Sequence, residues 1–197
     1  MKTGFLEALE IQRRDDHRYY HHSLINQSLH LVSAVSFLTS YVVAFRNPAA
    51  SALIGWLFAM VSRQSGHFFF EPKGYDEVNQ ATHEHKEAIK VGYNLHRKIW
   101  LLAIWALSPL ILLTSLPWAP LHDGPLWQRL GLIWFLVGIG GLLFRTVQLM
   151  FIRDVQTGLV WATKILTDPF HDIWLYYKSP YYLLRGQLID PMSESRA

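Results

Sequence analysis

The chain has 197 residues, of which 51% are apolar, a formal net charge of +3 and no cysteine. The lack of cysteine excludes disulfides, iron–sulfur clusters and thiol catalysis, so a metal site would need histidine, carboxylate or other oxygen ligands. The small net charge, together with the lack of a Gly-rich phosphate loop or a nucleic-acid motif, argues against a nucleic-acid partner.

Four apolar stretches follow one another along the chain and predict membrane-spanning helices, at about 29–46, 49–70, 99–116 and 126–152. A span needs roughly 17–25 largely apolar residues, and the second and fourth stretches qualify if their arginines lie near an interface. The alternative is a soluble helical bundle, whose helices would carry a polar stripe that these stretches do not clearly show. We therefore expect an all-α polytopic membrane protein, with residues 1–197 forming a single domain.

The distribution of lysine and arginine predicts the orientation. With four spans, both termini share one side with the 71–98 connection, and nearly all basic residues fall on that side. The positive-inside rule then makes that side cytoplasmic. The tail at 157–185 combines Trp, Tyr and Leu with charges, which predicts an interfacial helix on the same side.

The chain contains ten histidines, and this topology brings all of them except His122 to the cytoplasmic side. His22, Asn26 and His30 recur every four residues, so a helix would place them on one face. His67 precedes Glu71 by one helical turn. A carboxylate at that spacing can bind the same ion as the imidazole or can orient the ring. An isolated histidine at a membrane boundary can equally be a plain interfacial residue.

Two sequence motifs carry a more specific indication. One is Tyr20-His21-His22-x3-Asn26-x3-His30, which runs directly into the first apolar stretch, and the other is Gly66-His67-x3-Glu71. Together, over about residues 17–72, they resemble the Mpo-type family of membrane 2-hydroxy-fatty-acid dioxygenases. The resemblance implies an iron(II)-dependent oxygenase that cleaves a 2-hydroxy fatty acid with O2 to a one-carbon-shorter fatty acid and CO2.

The resemblance also implies a set of site residues. The iron ligands would be His21, His30 and His67, with Glu71 binding the metal or orienting a ligand. Further candidate ligands are His22, His83, His85 and His171, and the candidate catalytic residues are Glu71 and Asn26. Arg63 or Lys98 could pair with the substrate carboxylate. A single Fe(II) is favoured over a pair, with the acyl chain lying among the apolar helices.

Two other classes of function stay open at this point. The spacing of His17-x3-His21-His22 is that of one histidine box of the membrane fatty-acid hydroxylases and desaturases, which use several boxes around two irons, but no second box of this form occurs. The protein could also be non-enzymatic, binding haem between spans, carrying metal, or acting as an adaptor. A transporter would place ionisable groups near the middle of the membrane, whereas this sequence places them at one edge.

Overall fold

The computed structural model describes residues 3–71, 74–76, 79–114 and 124–190. Within these ranges the regular structure consists of helices, and the only β-type pairings are two isolated bridges, with no strand. The predicted all-α class is confirmed.

The helices are numbered here in chain order. Helix α1 is Phe5–Tyr20 and α2 is Leu24–Ala44. Helix α3 is a continuous rod over residues 48–70, in which the α-helical segments Pro48–Ile54 and Val61–Ser65 alternate with the π-helical segments Gly55–Met60 and Gly66–Phe70. Helix α4 is His83–Ile89, and α5 is Leu95–Leu107, which the 3-10 segment Ser108–Leu113 extends. Helices α6, α7 and α8 are Leu126–Ile152, Val155–Tyr176 and Ser179–Leu184.

Three helical stretches are long and apolar enough to cross a membrane: α2, α6 and the stretch His96–Leu113. They correspond to three of the four predicted spans, and they fit a membrane protein. The predicted span at 49–70 corresponds to α3, which the π-helical segments divide into short pieces. A total of four spans therefore stays a prediction, as do the sides on which the termini lie.

Helices α2 and α3 form an antiparallel hairpin. The turn ends at Asn47, whose side chain accepts a hydrogen bond from the Ala50 amide at 3.0 Å, and Pro48 occupies the first turn, where a missing N–H costs nothing. Near the turn, the Ser40 and Ser51 hydroxyls each donate to the other residue's backbone carbonyl, at 2.9 and 2.8 Å. As a result, the start of α2 lies beside the end of α3.

Helix α6 runs along α3 in the same direction. Gly131 packs directly on the backbone of Ala49, where an added Cβ would lie 2.4 Å from the carbonyl oxygen. Seven residues further along α3 and three further along α6, the Trp56 indole donates to the Trp134 carbonyl at 2.8 Å. Trp105 of α5 stacks on Trp56 with ring centroids 5.4 Å apart, so the apolar core lies between α3, α5 and α6.

Helix α7 crosses one end of this assembly. Near its start, Gly158 packs on the Thr146 carbonyl toward the end of α6, at 2.7 Å from an ideal Cβ. Further along, the Asp172 carboxylate lies 3.5 Å from His30 near the start of α2 and 3.1 Å from Arg63 near the end of α3. Both parts of α7 therefore contact the same end of α2, α3 and α6.

The two faces of α7 differ in the sense expected of a helix that borders lipid. Its charged residues Lys164, Asp168 and Asp172 are buried. Its exposed residues are all apolar, namely Val155, Leu159, Ile165, Leu166, Phe170 and Trp174. This pattern supports the interfacial location predicted for the tail, which stays a prediction.

A candidate metal centre

Three elements bring one histidine each to the same point. His21 follows α1, His30 lies in the second turn of α2, and His67 lies in the last π-helical segment of α3. Helix α2 begins after Ser23, whose side chain accepts a hydrogen bond from the Asn26 amide at 3.5 Å. Because α2 and α3 are antiparallel, the first turns of α2 meet the last turn of α3, and the three imidazoles converge.

The three rings are buried and close enough to hold one ion. The relative exposures of His21, His30 and His67 are 3%, 0% and 8%. One nitrogen of each ring lies within 4.8 Å of a nitrogen of both other rings, and the Nε2 atoms of His21 and His30 are 3.1 Å apart. The structure therefore contains a buried three-histidine group that could hold a metal ion.

Hydrogen bonds outside the group determine which nitrogen is available in two of the rings. His21 Nδ1 lies 2.9 Å from the Asp16 carbonyl oxygen, and His67 Nδ1 lies 2.7 Å from Glu71 Oε2. A carbonyl or carboxylate oxygen only accepts, so each Nδ1 carries the hydrogen and donates it. In the neutral ring, Nε2 is then left with a free lone pair, as a metal ligand requires.

The third ring raises a conflict that a cation would resolve. If His30 carried its hydrogen on Nε2 it could donate to His21 Nε2, but the Nδ1 lone pair would then face the Asp172 carboxylate, whose Oδ2 lies 3.5 Å away. His30 Nδ1 makes no hydrogen bond among the described residues, so it is the negative charge of Asp172 that favours a hydrogen on Nδ1. The His30 and His21 Nε2 lone pairs would then face each other at 3.1 Å. Two imidazole nitrogens bound to one metal at 2.0–2.1 Å, at tetrahedral or cis octahedral angles, are about 2.8–3.4 Å apart. The donor set, and the spacing of the His21 and His30 nitrogens, therefore fit a metal ion.

The electrostatic environment keeps the group suited to metal binding. Burial lowers the pKa of His21 well below its ordinary value, and the neighbouring His30 lowers it further. The neutral imidazole is the form that binds a metal. Burial also raises the pKa of the Glu71 carboxyl, an effect that the nearby Lys90 and Lys98 ammonium groups oppose.

Asn26 lies where the helices are closest together. It is fully buried, and its Nδ2 donates to the Tyr20 carbonyl at 2.8 Å. Its Oδ1 has no hydrogen-bond partner among the described residues. A Cβ added to Gly66 would lie 2.0 Å from that oxygen, so only glycine allows this approach. Asn26 thus fixes the position of the α3 turn that carries His67.

None of the other four predicted histidine ligands belongs to the three-histidine group. His22 Nε2 lies 3.7 Å from Asp76 Oδ2 and 3.3 Å from the side-chain amide of Asn79. His83 and His85 belong to α4, where His85 is exposed.

His171 lies on α7, half-buried, with its ring 6.3 Å from that of Trp174. His122 lies outside the described residues.

The two predicted substrate cations have different surroundings. Arg63 NH1 lies 3.1 Å from Asp172 Oδ2, and Arg63 NH2 lies 3.6 Å from Asp168 Oδ2, so this guanidinium already neutralises carboxylates. Lys98 is 8% exposed, and within the described part of the chain its ammonium group makes no hydrogen bond or ion pair. Of the two, Lys98 is the cation available to a ligand.

An ionic network that the sequence analysis did not identify lies behind two of the histidines. Lys164 Nζ lies 2.6 Å from both Asp16 Oδ2 and Asp168 Oδ2. Although burial opposes it, Lys164 holds the pKa of Asp16 well below its usual range. The network reaches His21 through the Asp16 carbonyl and His30 through Asp172.

A pattern in the sequence could have revealed this network. Lys164, Asp168, Asp172 and Tyr176 follow one another at intervals of four residues and therefore share one face of α7. All four are buried, and the Tyr176 hydroxyl lies 3.1 Å from His17 Nδ1.

A cavity of about 450 Å³ adjoins the group, and His67 forms part of its wall. This volume falls within the range of roughly 300–1,000 Å³ that is usual for small-molecule sites. Charged side chains of both signs also line it: Arg63, Lys90, Lys98, Lys164, Asp15, Asp16 and Asp168. The part farther from His67 is largely apolar and includes Phe37, Trp56, Leu101, Trp134 and Phe135. The cavity is therefore amphipathic, with its polar part beside the three-histidine group.

Comparison of the chain with protein-family models, with curated proteins and with solved structures finds no match.

Proposed function

We propose that this protein is an iron(II)-dependent membrane oxygenase that cleaves a 2-hydroxy fatty acid with O2 to a fatty acid one carbon shorter. The observation that carries the proposal is that His67 belongs both to a buried three-histidine group and to the wall of an amphipathic cavity. The resemblance of the two sequence motifs to the dioxygenase family supports the same assignment. The distribution of basic residues favours a cytoplasmic location for the site.

The reaction is balanced without a further reductant. R–CH(OH)–COOH and O2 give R–COOH, CO2 and H2O, so the hydroxy acid supplies all the electrons that O2 accepts. When bound, iron(II) supplies a redox-active Lewis acid with coordination positions beyond the three imidazoles. The protein has to hold the imidazoles neutral and in place and to orient the acid.

Residues around the site are suited to those tasks. The Asp16 carbonyl and the Glu71 carboxylate keep the hydrogens of His21 and His67 on Nδ1, as the outer hydrogen bonds of metal-binding histidines do elsewhere. Lys98 pairs with the substrate carboxylate, because it lines the cavity and its ammonium group is available. The acyl chain lies in the apolar part, where each buried CH2 contributes roughly 0.8 kcal/mol.

The geometry favours a mononuclear iron centre over the alternatives. Two histidines on opposite faces of a haem iron have nitrogens about 4 Å apart with the porphyrin between them, whereas the nitrogens of His21 and His30 are 3.1 Å apart with a third ring beside them. Within the described ranges, one group of at least three histidine or carboxylate ligands is found, where a di-iron enzyme needs ligands for two ions.

The proposal can be tested with purified protein in detergent, loaded anaerobically with iron(II). O2 consumption and CO2 release on adding a 2-hydroxy fatty acid should occur in equal amounts with the wild type and should be lost in His30→Ala and His67→Ala. His96→Ala is the matched control, because His96 is exposed and contacts Trp100 on α5 rather than the group.

Two results would contradict the proposal. One is turnover at the wild-type rate in His30→Ala or His67→Ala. The other is iron-loaded wild-type protein that consumes no O2 with 2-hydroxy fatty acids of any chain length.

A further inference from the structure

The cavity extends far beyond the histidines along α3. It runs from His67 to Ser51 and Ala52 near the α2–α3 turn. At a rise of 1.5 Å per residue, this distance is roughly 23 Å. One leaflet of a bilayer is about 15 Å thick in its hydrocarbon part. The cavity is thus long enough for a single extended hydrocarbon chain.

Two lysines line the polar part of the cavity. Lys98 is more than nine-tenths buried. Lys90 Nζ is buried 3.4 Å above the centre of the Tyr20 ring and has no hydrogen-bond partner in the part of the chain that the structure describes. The Glu71 carboxylate interacts with both lysines at longer range, but it is bound to His67. Three carboxylates also line the cavity, but Asp16 and Asp168 are paired with Lys164, and Asp15 is partly exposed. A buried cation without a close counterion is costly, so the part of the cavity beside the two lysines is complementary to an anion.

A glycine of α6 borders the apolar part. Gly138 lines the cavity, and a Cβ built on it would lie 3.7 Å from Trp56 Nε1, an ordinary van der Waals distance. A Cβ can therefore be added here without a clash, and we expect the further atoms of a larger side chain to occupy cavity volume. Such a side chain would narrow the cavity beside Trp56. Because Trp56 precedes His67 by eleven residues, the narrowed point would lie roughly 16 Å along α3 from the histidines.

We propose that the cavity binds one single-chain amphiphile with its anionic head between Lys90 and Lys98, and that Gly138 allows long chains to pass. The identification of the occupant as the substrate rests on the proposed function. Binding itself needs no metal, because the lysines and the apolar wall belong to the protein.

The proposed role of Gly138 in chain length is tested by measuring the binding of radiolabelled fatty acids of increasing length to metal-free protein in detergent. In Gly138→Leu, the longest chains that the wild type binds should lose about tenfold or more in affinity, since excluding two CH2 groups costs roughly 1.6 kcal/mol. Short chains should bind as to the wild type.

Gly140→Leu makes the same change two residues further along α6, where an added Cβ meets nothing within 4 Å and the residue is not part of the cavity wall. It should bind all chains like the wild type. An unchanged chain-length profile in Gly138→Leu, or an equal loss in both variants, would overturn the role of Gly138.

The proposed anion site is tested by comparing the binding affinity of a fatty acid with that of the alcohol of the same chain length. The wild type should prefer the acid by about tenfold or more, as for a charge-assisted contact, and Lys98→Met or Lys90→Met should reduce that preference. Equal binding of acid and alcohol to the wild type would overturn the anion site. If binding follows these expectations but the iron-loaded protein shows no turnover, the oxygenase proposal fails and the cavity assignment stands.

Discussion

At one end of the α2–α3 hairpin, buried histidines, carboxylates and lysines lie within hydrogen-bond distance of one another, whereas the part near the turn is held by apolar side chains and a pair of serines. Apolar burial stabilises a helical assembly directly. For buried charges, the cost of removing them from water offsets most of their mutual attraction. The charged groups at the polar end therefore contribute little net stability to the fold. Its arrangement is better explained by the demands of a ligand than by those of the fold.

The largest expected effect comes from breaking the ionic network. In the wild type, the Asp16 and Asp168 carboxylates each lie 2.6 Å from Lys164 Nζ, and Lys164→Met removes this shared partner. Removing one member of a buried pair costs about 3–5 kcal/mol. Denaturant unfolding in detergent should show this loss, whereas Lys178→Met, at an exposed position, should change the free energy of unfolding little. Equal stability of the two variants would show that the polar end is not a closed network.

A substitution in the apolar core tests whether the two ends of the hairpin are independent. Ile133 is buried among Trp56 and Trp134, away from the histidines, so Ile133→Ala should destabilise the protein by about 2–5 kcal/mol. Its iron content per folded chain should equal that of the wild type, as measured by metal analysis of the monodisperse fraction. A loss of iron in this variant would mean that the two ends are not independent.

A smaller effect, on metal affinity rather than stability, is expected at Asp172. Asp172→Asn removes the charge that lies beside His30 Nδ1, and loss of such an outer partner typically weakens metal binding about 10–100-fold. Competition with a chelator measures the affinity. Glu84→Gln is the control, because Glu84 is exposed on α4. Equal metal affinities of the two variants would show that Asp172 does not contribute to metal binding.

The smallest of these effects is expected at Glu71. In Glu71→Gln, the side-chain carbonyl can still accept the hydrogen of His67 Nδ1, so the ring keeps its orientation and loses only the charge of its partner. We expect a loss in metal affinity of about tenfold, at the lower limit for outer partners. Glu71→Ala should lose more. If Glu71→Gln abolished binding, the carboxylate would be a ligand rather than an orienting group.

The resemblance of the two motifs implied the three histidines that meet, and local rules account for the positions of two of them. His30 and His67 adjoin apolar stretches at ends that an antiparallel hairpin brings together, and Glu71 follows His67 by one turn. The helical class followed from the same apolar stretches. Regular spacing within one helix and the pairing of neighbouring helices can both be inferred from a single sequence.

The remaining features depend on contacts between distant segments. Asp172 reaches His30 only because α7 crosses the end of the hairpin, and the sequence drew attention to His171 beside it instead. The two π-helical segments of α3 were not predicted either, although Gly55 and Gly66 begin them. Hydrophobic periodicity does not distinguish such a segment from an α-helical turn, yet one of them determines where His67 points.

The central claim is that His21, His30 and His67 bind one metal ion through their imidazole nitrogens. X-ray absorption at the iron K-edge of the iron(II)-loaded protein tests it most directly. We expect imidazole scattering from three histidines in the wild type and from two in His30→Ala. Wild-type protein that retains no iron after removal of excess metal, or a spectrum that is unchanged in His30→Ala, would contradict it.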